Sequence, residues 1–125
     1  MLIDTNILIY ADRGNDNAKT LIISANAPSI SVVTYMEYVP FCLNKIELNN
    51  FEKMLKKYRF KIIDINIEIS MTAKRLVSQY ALSHRVEMAD ALIAATALVN
   101  NQTVITGNGK HFKPIPGLKI KIFKP

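Results

Sequence analysis

The sequence predicts an α/β fold, layered, with a mainly parallel central sheet. Short β-branched and apolar stretches alternate along the chain with longer stretches of helical period. That alternation is what parallel strands joined by helical crossovers produce. The chain has 125 residues, 50% hydrophobic and 21% charged. It is long enough to bury one sizeable core and is too apolar for a disordered chain. No repeat, low-complexity tract or composition break marks a linker, so residues 1–125 read as a single domain.

Taken in order, residues 1–4 form a short buried strand that begins with the first residue. Thr5 and Asn6 turn the chain, residues 7–11 make a turn or two of helix, and residues 13–17 form a polar loop. Asp16 is placed to cap a helix over 17–26, with Leu21, Ile22 and Ala25 inward. Pro28 breaks that helix, and residues 29–33 are a second buried strand. Thr34 with Glu37 three residues later has the spacing of a capping box. The helix that it opens runs from 35 to about 45, with Pro40 tightening or kinking it. Asn49-Asn50 punctuates, and residues 51–58 make a short basic helix. Residues 60–65 form a third strand. Asn66 caps a long helix over 67–83, with Ile69, Ala73, Leu76, Val77 and Tyr80 on one side. Residues 86–100 make a helix apolar nearly all round, hence buried on most sides. Its alanines at 91, 94, 95 and 97 allow close approach of a neighbour. A fourth strand, 103–106, ends at Gly107-Asn108-Gly109. The fifth, 118–123, alternates lysine with apolar residues, as a half-exposed edge does.

Sixteen Lys and Arg against ten Asp and Glu give a formal charge of +6, which favours a polyanionic partner. The single cysteine, Cys42, excludes an internal disulfide and a cysteine-based zinc site. It reads as a small buried hydrophobe. The apolar N-terminus is interrupted by Asp4 and lacks a basic leader, so it does not read as a signal peptide. No stretch approaches the roughly 18 apolar residues of a membrane span. A cytoplasmic protein is expected.

Three carboxylates sit in otherwise apolar runs: Asp4 in Leu2-Ile3-Asp4, Glu37 in Tyr35-Met36-Glu37-Tyr38-Val39, and Asp90 in Met88-Ala89-Asp90-Ala91-Leu92. None has a Lys or Arg within four residues. Charge in an apolar setting needs compensation. In parallel sheets, ligand sites form beyond the carboxyl ends of the strands. Asp4, Thr106 and Asn108 lie at strand ends, Glu37 one helical turn past one, and Asp90 at a helix start. If these acids converge, the simplest compensating partner is a divalent cation. Hard oxygen donors suit Mg²⁺ or Mn²⁺ better than zinc. Such an ion makes water a usable nucleophile near neutral pH, and a second ion, where present, stabilises the leaving oxygen from about 3.5–4 Å away. The natural substrate is a phosphodiester. Each acid also has a local reading: Asp4 as a cap, Glu37 as the capping-box partner of Thr34, and Asp90 as a first-turn acid favoured by the helix dipole. Glu87 shares the face of Asp90 as a lesser ligand candidate, and His111 reads as a surface or packing residue.

The pattern resembles the PIN domain and, within it, the VapC-like toxins of type II toxin–antitoxin pairs. The matching pieces are Leu2-Ile3-Asp4-Thr5-Asn6, Ser31 to Glu37, Asp90 to Ala97, and Val104 to Phe112 with Pro116-Gly117-Leu118. The resemblance implies a three-layer α/β/α sandwich with four to five strands. It also implies a Mg²⁺- or Mn²⁺-dependent endoribonuclease, often a homodimer, that cuts transfer or ribosomal RNA and is silenced by a cognate antitoxin. Carried over, Asp4, Glu37 and Asp90 are the metal-binding catalytic acids. Thr106 and Asn108 fall in the family's fourth polar motif, where Asn108 orients water or a ligand carboxylate and Thr106 is a supporting residue, and Thr5 and Asn6 support Asp4. Many members carry another acid in the last motif, where this chain has Asn108 and His111. That difference suggests one well-occupied ion, with a second recruited by RNA. The alternatives are a PIN-like module that binds RNA or protein without cutting, and a receiver-like domain with Asp4 as phosphoacceptor. The latter lacks the acidic pair that it needs, since Thr5-Asn6 follows Asp4.

Overall fold

The structure, a computed structural model, describes residues 1–125. Five parallel strands form one sheet in the order β3-β2-β1-β4-β5. They are β1 (Leu2–Ile3), β2 (Ser29–Ser31), β3 (Lys61–Ile63), β4 (Val104–Thr106) and β5 (Ile120–Ile122). Between them run α1 (Thr5–Asp12), α2 (Asp16–Ser24), α3 (Val32–Tyr38), α4 (Lys45–Lys57), α5 (Ile67–His84) and α6 (Met88–Val99).

Successive side chains on a strand point to opposite faces of the sheet, and two cores result. Leu2 and Val104 pack with Ile69, Leu76 and Ile93 of α5 and α6. Their neighbours Ile3 and Ile105 pack with Ile7, Ile22 and Leu55 of α1, α2 and α4. The sheet is therefore sandwiched between two helical layers. The central strands β1 and β4 pair in register, Leu2 with Val104 and Ile3 with Ile105. Ala91, Ala94, Ala95 and Ala97 of α6 are all buried. Their small side chains let α6 lie close against its neighbours, and they pack in the same core as Leu76 and Ala73 of α5. No helix is long and apolar enough to cross a membrane.

Several local expectations are corrected. Asn15, not Asp16, caps α2: its side chain accepts from Ala18 N–H at 2.9 Å. β2 ends at Ser31, which itself caps α3 by accepting from Val33 N–H at 3.1 Å. Thr34 is thus inside the helix, and no Thr34–Glu37 capping box forms. The helix predicted to 45 stops at Tyr38, and a 3-10 turn, Val39–Phe41, carries Pro40. Proline lacks the N–H that would continue the α-helical ladder. Lys45 instead opens α4, capped by Asn44 through Glu47 N–H at 3.0 Å. The Glu47 carboxylate accepts in return from Leu43 N–H at 2.6 Å. Asn49-Asn50 is therefore helix interior, not punctuation, and one 13-residue helix replaces the short one predicted over 51–58. Asn66 caps α5 as the sequence predicts, accepting from Ile69 N–H at 2.8 Å.

Candidate active site

At the carboxyl edge of the sheet lies a cleft of about 370 Å³. β1 delivers Asp4 there as the N-cap of α1. The residue is only 8% exposed. Its Oδ1 accepts from Thr5 N–H at 2.8 Å, and its Oδ2 accepts from the fully buried Thr106 hydroxyl at 2.7 Å. Thr106 ends β4, beside β1, so the parallel pairing itself brings these two residues together. Asn108 N–H in turn donates to Thr106 Oγ1 at 3.0 Å. Asn6 Oδ1 accepts from Gly107 N–H at 3.2 Å and ties the start of α1 to the loop after β4.

Glu37 projects from α3. The Thr5 hydroxyl donates to its Oε1 at 2.7 Å and shares a 3.0 Å hydrogen bond with Thr34 Oγ1. Thr34 is fully buried. Its part here is to link α3 to α1 beneath the acid. Asp90 stands in the first turn of α6. Glu87, the N-cap residue, makes no side-chain capping bond.

Asp4, Glu37, Asp90 and Asn108 all line this cleft, with Thr5, Asn6 and His111. Thr106 lies behind it as a hydrogen-bond donor, and Glu87 is not part of the lining. No lysine or arginine lines it. Burial pushes the Asp4 carboxyl above the usual range, and the negative charges of Asp90 and Glu37 add to that push, while the Thr106 and Thr5 hydrogen bonds oppose it. Burial also raises Asp90, against the opposing influence of His111. Desolvation disfavours the charged carboxylate in both.

As they stand, no three His, Cys, Asp or Glu side chains are close enough to hold an ion between them. The donor set nonetheless fits a hard divalent cation. Mg²⁺ takes only one or two protein carboxylates and keeps several waters, so a closed cage is not required. His111 also lines the cleft, while its Nδ1 is buried and has no hydrogen-bond partner. The residue that the sequence undervalues is His111. Its signal is its position three residues after Asn108, within one turn of the strand end.

A second cavity, of about 460 Å³, is mostly apolar and lies between α1, α2 and α4. Leu8, Ile22, Tyr38, Phe51 and Met54 line it, and Phe41 lines both this cavity and the acid cleft.

Residues 1–118 match the family model of the PIN domain. Ribonuclease VapC1 of Rickettsia felis is 30% identical over 129 aligned residues, which cover 96% of this chain and 93% of that protein. A chain of the toxin–antitoxin complex from Klebsiella pneumoniae superposes with a TM-score of 0.78 at 31% identity, covering 94% of this chain and 93% of its own. VapBC2 from Rickettsia felis, solved with a DNA fragment from its promoter, gives a TM-score of 0.81 at 25% identity over 98% of both chains. A family match across nearly all of the chain, joined to the three acids on one cleft, establishes that this protein belongs to the PIN domain family, in its VapC-like branch.

Proposed function

We propose that this chain is a metal-dependent endoribonuclease and the toxin of a type II toxin–antitoxin pair. The observation that carries the reading is the cleft itself: three carboxylates from distant parts of the sequence and no lysine or arginine among its lining residues. When bound there, Mg²⁺ or Mn²⁺ supplies Lewis acidity and a water made acidic enough to attack phosphorus near neutral pH. Asp4, Glu37 and Asp90 would hold the ion, and Glu37, oriented by Thr5, would also align the attacking water. Asn108 presents an amide to the phosphate or to a ligand carboxylate. Thr106 and the Thr5 N–H keep Asp4 from turning away. The charge of +6 favours capture of RNA, with transfer or ribosomal RNA the family-implied substrate. A single domain, a homodimer and a cytoplasmic location complete the reading.

The partner is a cognate antitoxin. The apolar groove between α1, α2 and α4 offers an amphipathic segment a seat, and Phe41 lines both that groove and the acid cleft. Incubation of the pure protein with total RNA and Mn²⁺, with and without EDTA, tests the activity. Cleavage that EDTA abolishes is expected. RNA binding without any cleavage would instead establish the non-cutting PIN-like module.

A further inference from the structure

The chain has five phenylalanines, five tyrosines and no tryptophan. Of all these rings only Phe41 is exposed, at 56%. It lines the acid cleft. The other apolar side chains there are Ile9, half-buried, and Phe112, 1% exposed. Phe41 thus gives the cleft its one open aromatic face. It ends the 3-10 turn Val39–Phe41, and that turn is held firmly. Tyr38, just ahead of it, is 8% exposed and lies against Phe51 with ring centroids 4.1 Å apart. Cys42 N–H donates to the Val39 carbonyl at 2.9 Å. Pro40 fixes its own φ inside the turn. No other ring of the chain pairs with Phe41.

We propose that Phe41 stacks on the base beside the scissile phosphodiester and so seats the RNA strand over the acids. This inference rests on the reading of the cleft as an RNA-cleaving site. No lysine or arginine on the lining holds the phosphate, so the strand needs another contact from the protein. The other large binding surface of a nucleotide is its base. Stacking on an aromatic ring tolerates any sequence, because every base has a π-face. A base inside a duplex has both faces covered, so the base that Phe41 takes is one unstacked from a neighbour. The same ring also lines the apolar groove. There an apolar side chain of similar size serves, whereas a base asks for an aromatic face. Leucine and the other aromatic residues at position 41 therefore separate the two roles.

The test is cleavage of total RNA with Mn²⁺ by the full chain and by Phe41→Leu, Phe41→Tyr and Phe41→Trp. Phe41→Leu should cut more slowly by about tenfold or more, the loss that follows removal of one stacked contact. Its urea midpoint should stay level, because the side chain is exposed. Phe41→Tyr and Phe41→Trp should cut nearly as fast as the parent. Full activity in Phe41→Leu overturns the inference and leaves the ring to the groove. Equal loss in all three variants overturns it too, since the aromatic face then does not matter. Phe41→Trp also puts a lone tryptophan on the cleft, as the parent has none. Its fluorescence should be quenched on rapid mixing with a short oligoadenylate and Mg²⁺, ahead of any cleavage. An abasic oligoribonucleotide of the same length and charge should quench it far less. Equal quenching by the two overturns the stacking and leaves the nuclease reading standing. So does an unquenched tryptophan when anisotropy shows the oligoadenylate to be bound. A parent chain that cuts no RNA overturns the nuclease reading. Quenching by oligoadenylate then keeps Phe41 as the stacking residue of a module that binds without cutting, and its absence removes both. The tryptophan signal decides the matter even if Phe41→Leu fails to fold.

Discussion

Each oxygen of Asp4 has its own partner, Thr5 N–H on one side and the Thr106 hydroxyl on the other. The capping role and the site role thus fall on one residue, and the sequence alone had posed them as alternatives. Asp4→Asn keeps a capping acceptor and removes the charge. Cleavage should drop on the order of 100-fold or more in Asp4→Asn and in Asp90→Asn, since each loses several kcal/mol of metal-dependent stabilisation. Their melting temperatures without metal should stay level or rise. Marked unfolding would instead mean that these acids serve the fold first. The sign of the pH dependence follows from the raised carboxyls. A folded-state pKa above the unfolded value means that the native chain binds protons more tightly. Between the unfolded value near 3.8 and the raised native ones, these two groups make the metal-free protein lose stability as pH rises. Urea unfolding across that range should show a shallower decline in Asp4→Asn and Asp90→Asn than in the parent. Thr5→Val tests the support of Glu37. It keeps the shape but leaves the Glu37 and Thr34 oxygens short of a partner, at about 1–2 kcal/mol in stability. RNA cleavage should fall as well, and a fully active Thr5→Val would free Glu37 from that support.

At the scale of elements, α6 follows from its composition and the start of α3 does not. A helix apolar on nearly every side has to be buried, and Ala91, Ala94 and Ala95 are each fully buried in the core with α5. Ala94→Leu adds volume where no space exists and should destabilise by about 1–3 kcal/mol, visible as a lower urea midpoint. An unchanged midpoint would show a looser layer than the burial indicates. The Ser31 cap of α3 escaped the sequence reading because Val32 and Val33 look like strand. β-branched residues prefer strands only weakly, and tertiary packing overrides that preference. Lys45 and Asn49-Asn50 were misplaced for a related reason. Asn44 accepts from Glu47 N–H while the Glu47 carboxylate accepts from Leu43 N–H, and these two bonds outweigh the modest helix penalty of two asparagines.

For the whole molecule, EDTA should abolish cleavage while leaving the circular dichroism spectrum intact, because the two cores carry the fold without any ion. RNA affinity should fall steeply between low and moderate salt, as expected for a protein of charge +6. A flat salt dependence would argue against capture by charge. The sequence by itself determined the alternating architecture, the two faces of the sheet and the identities of the acids. Period and composition are local properties that fix which way each side chain points. Only the tertiary structure decided that Thr106 meets Asp4, that Thr5 carries Glu37 and that His111 joins the acids on one cleft. These pairs stand up to 102 positions apart. Their meeting depends on which strands become neighbours, and on where a parallel sheet places its carboxyl ends, which no local pattern encodes.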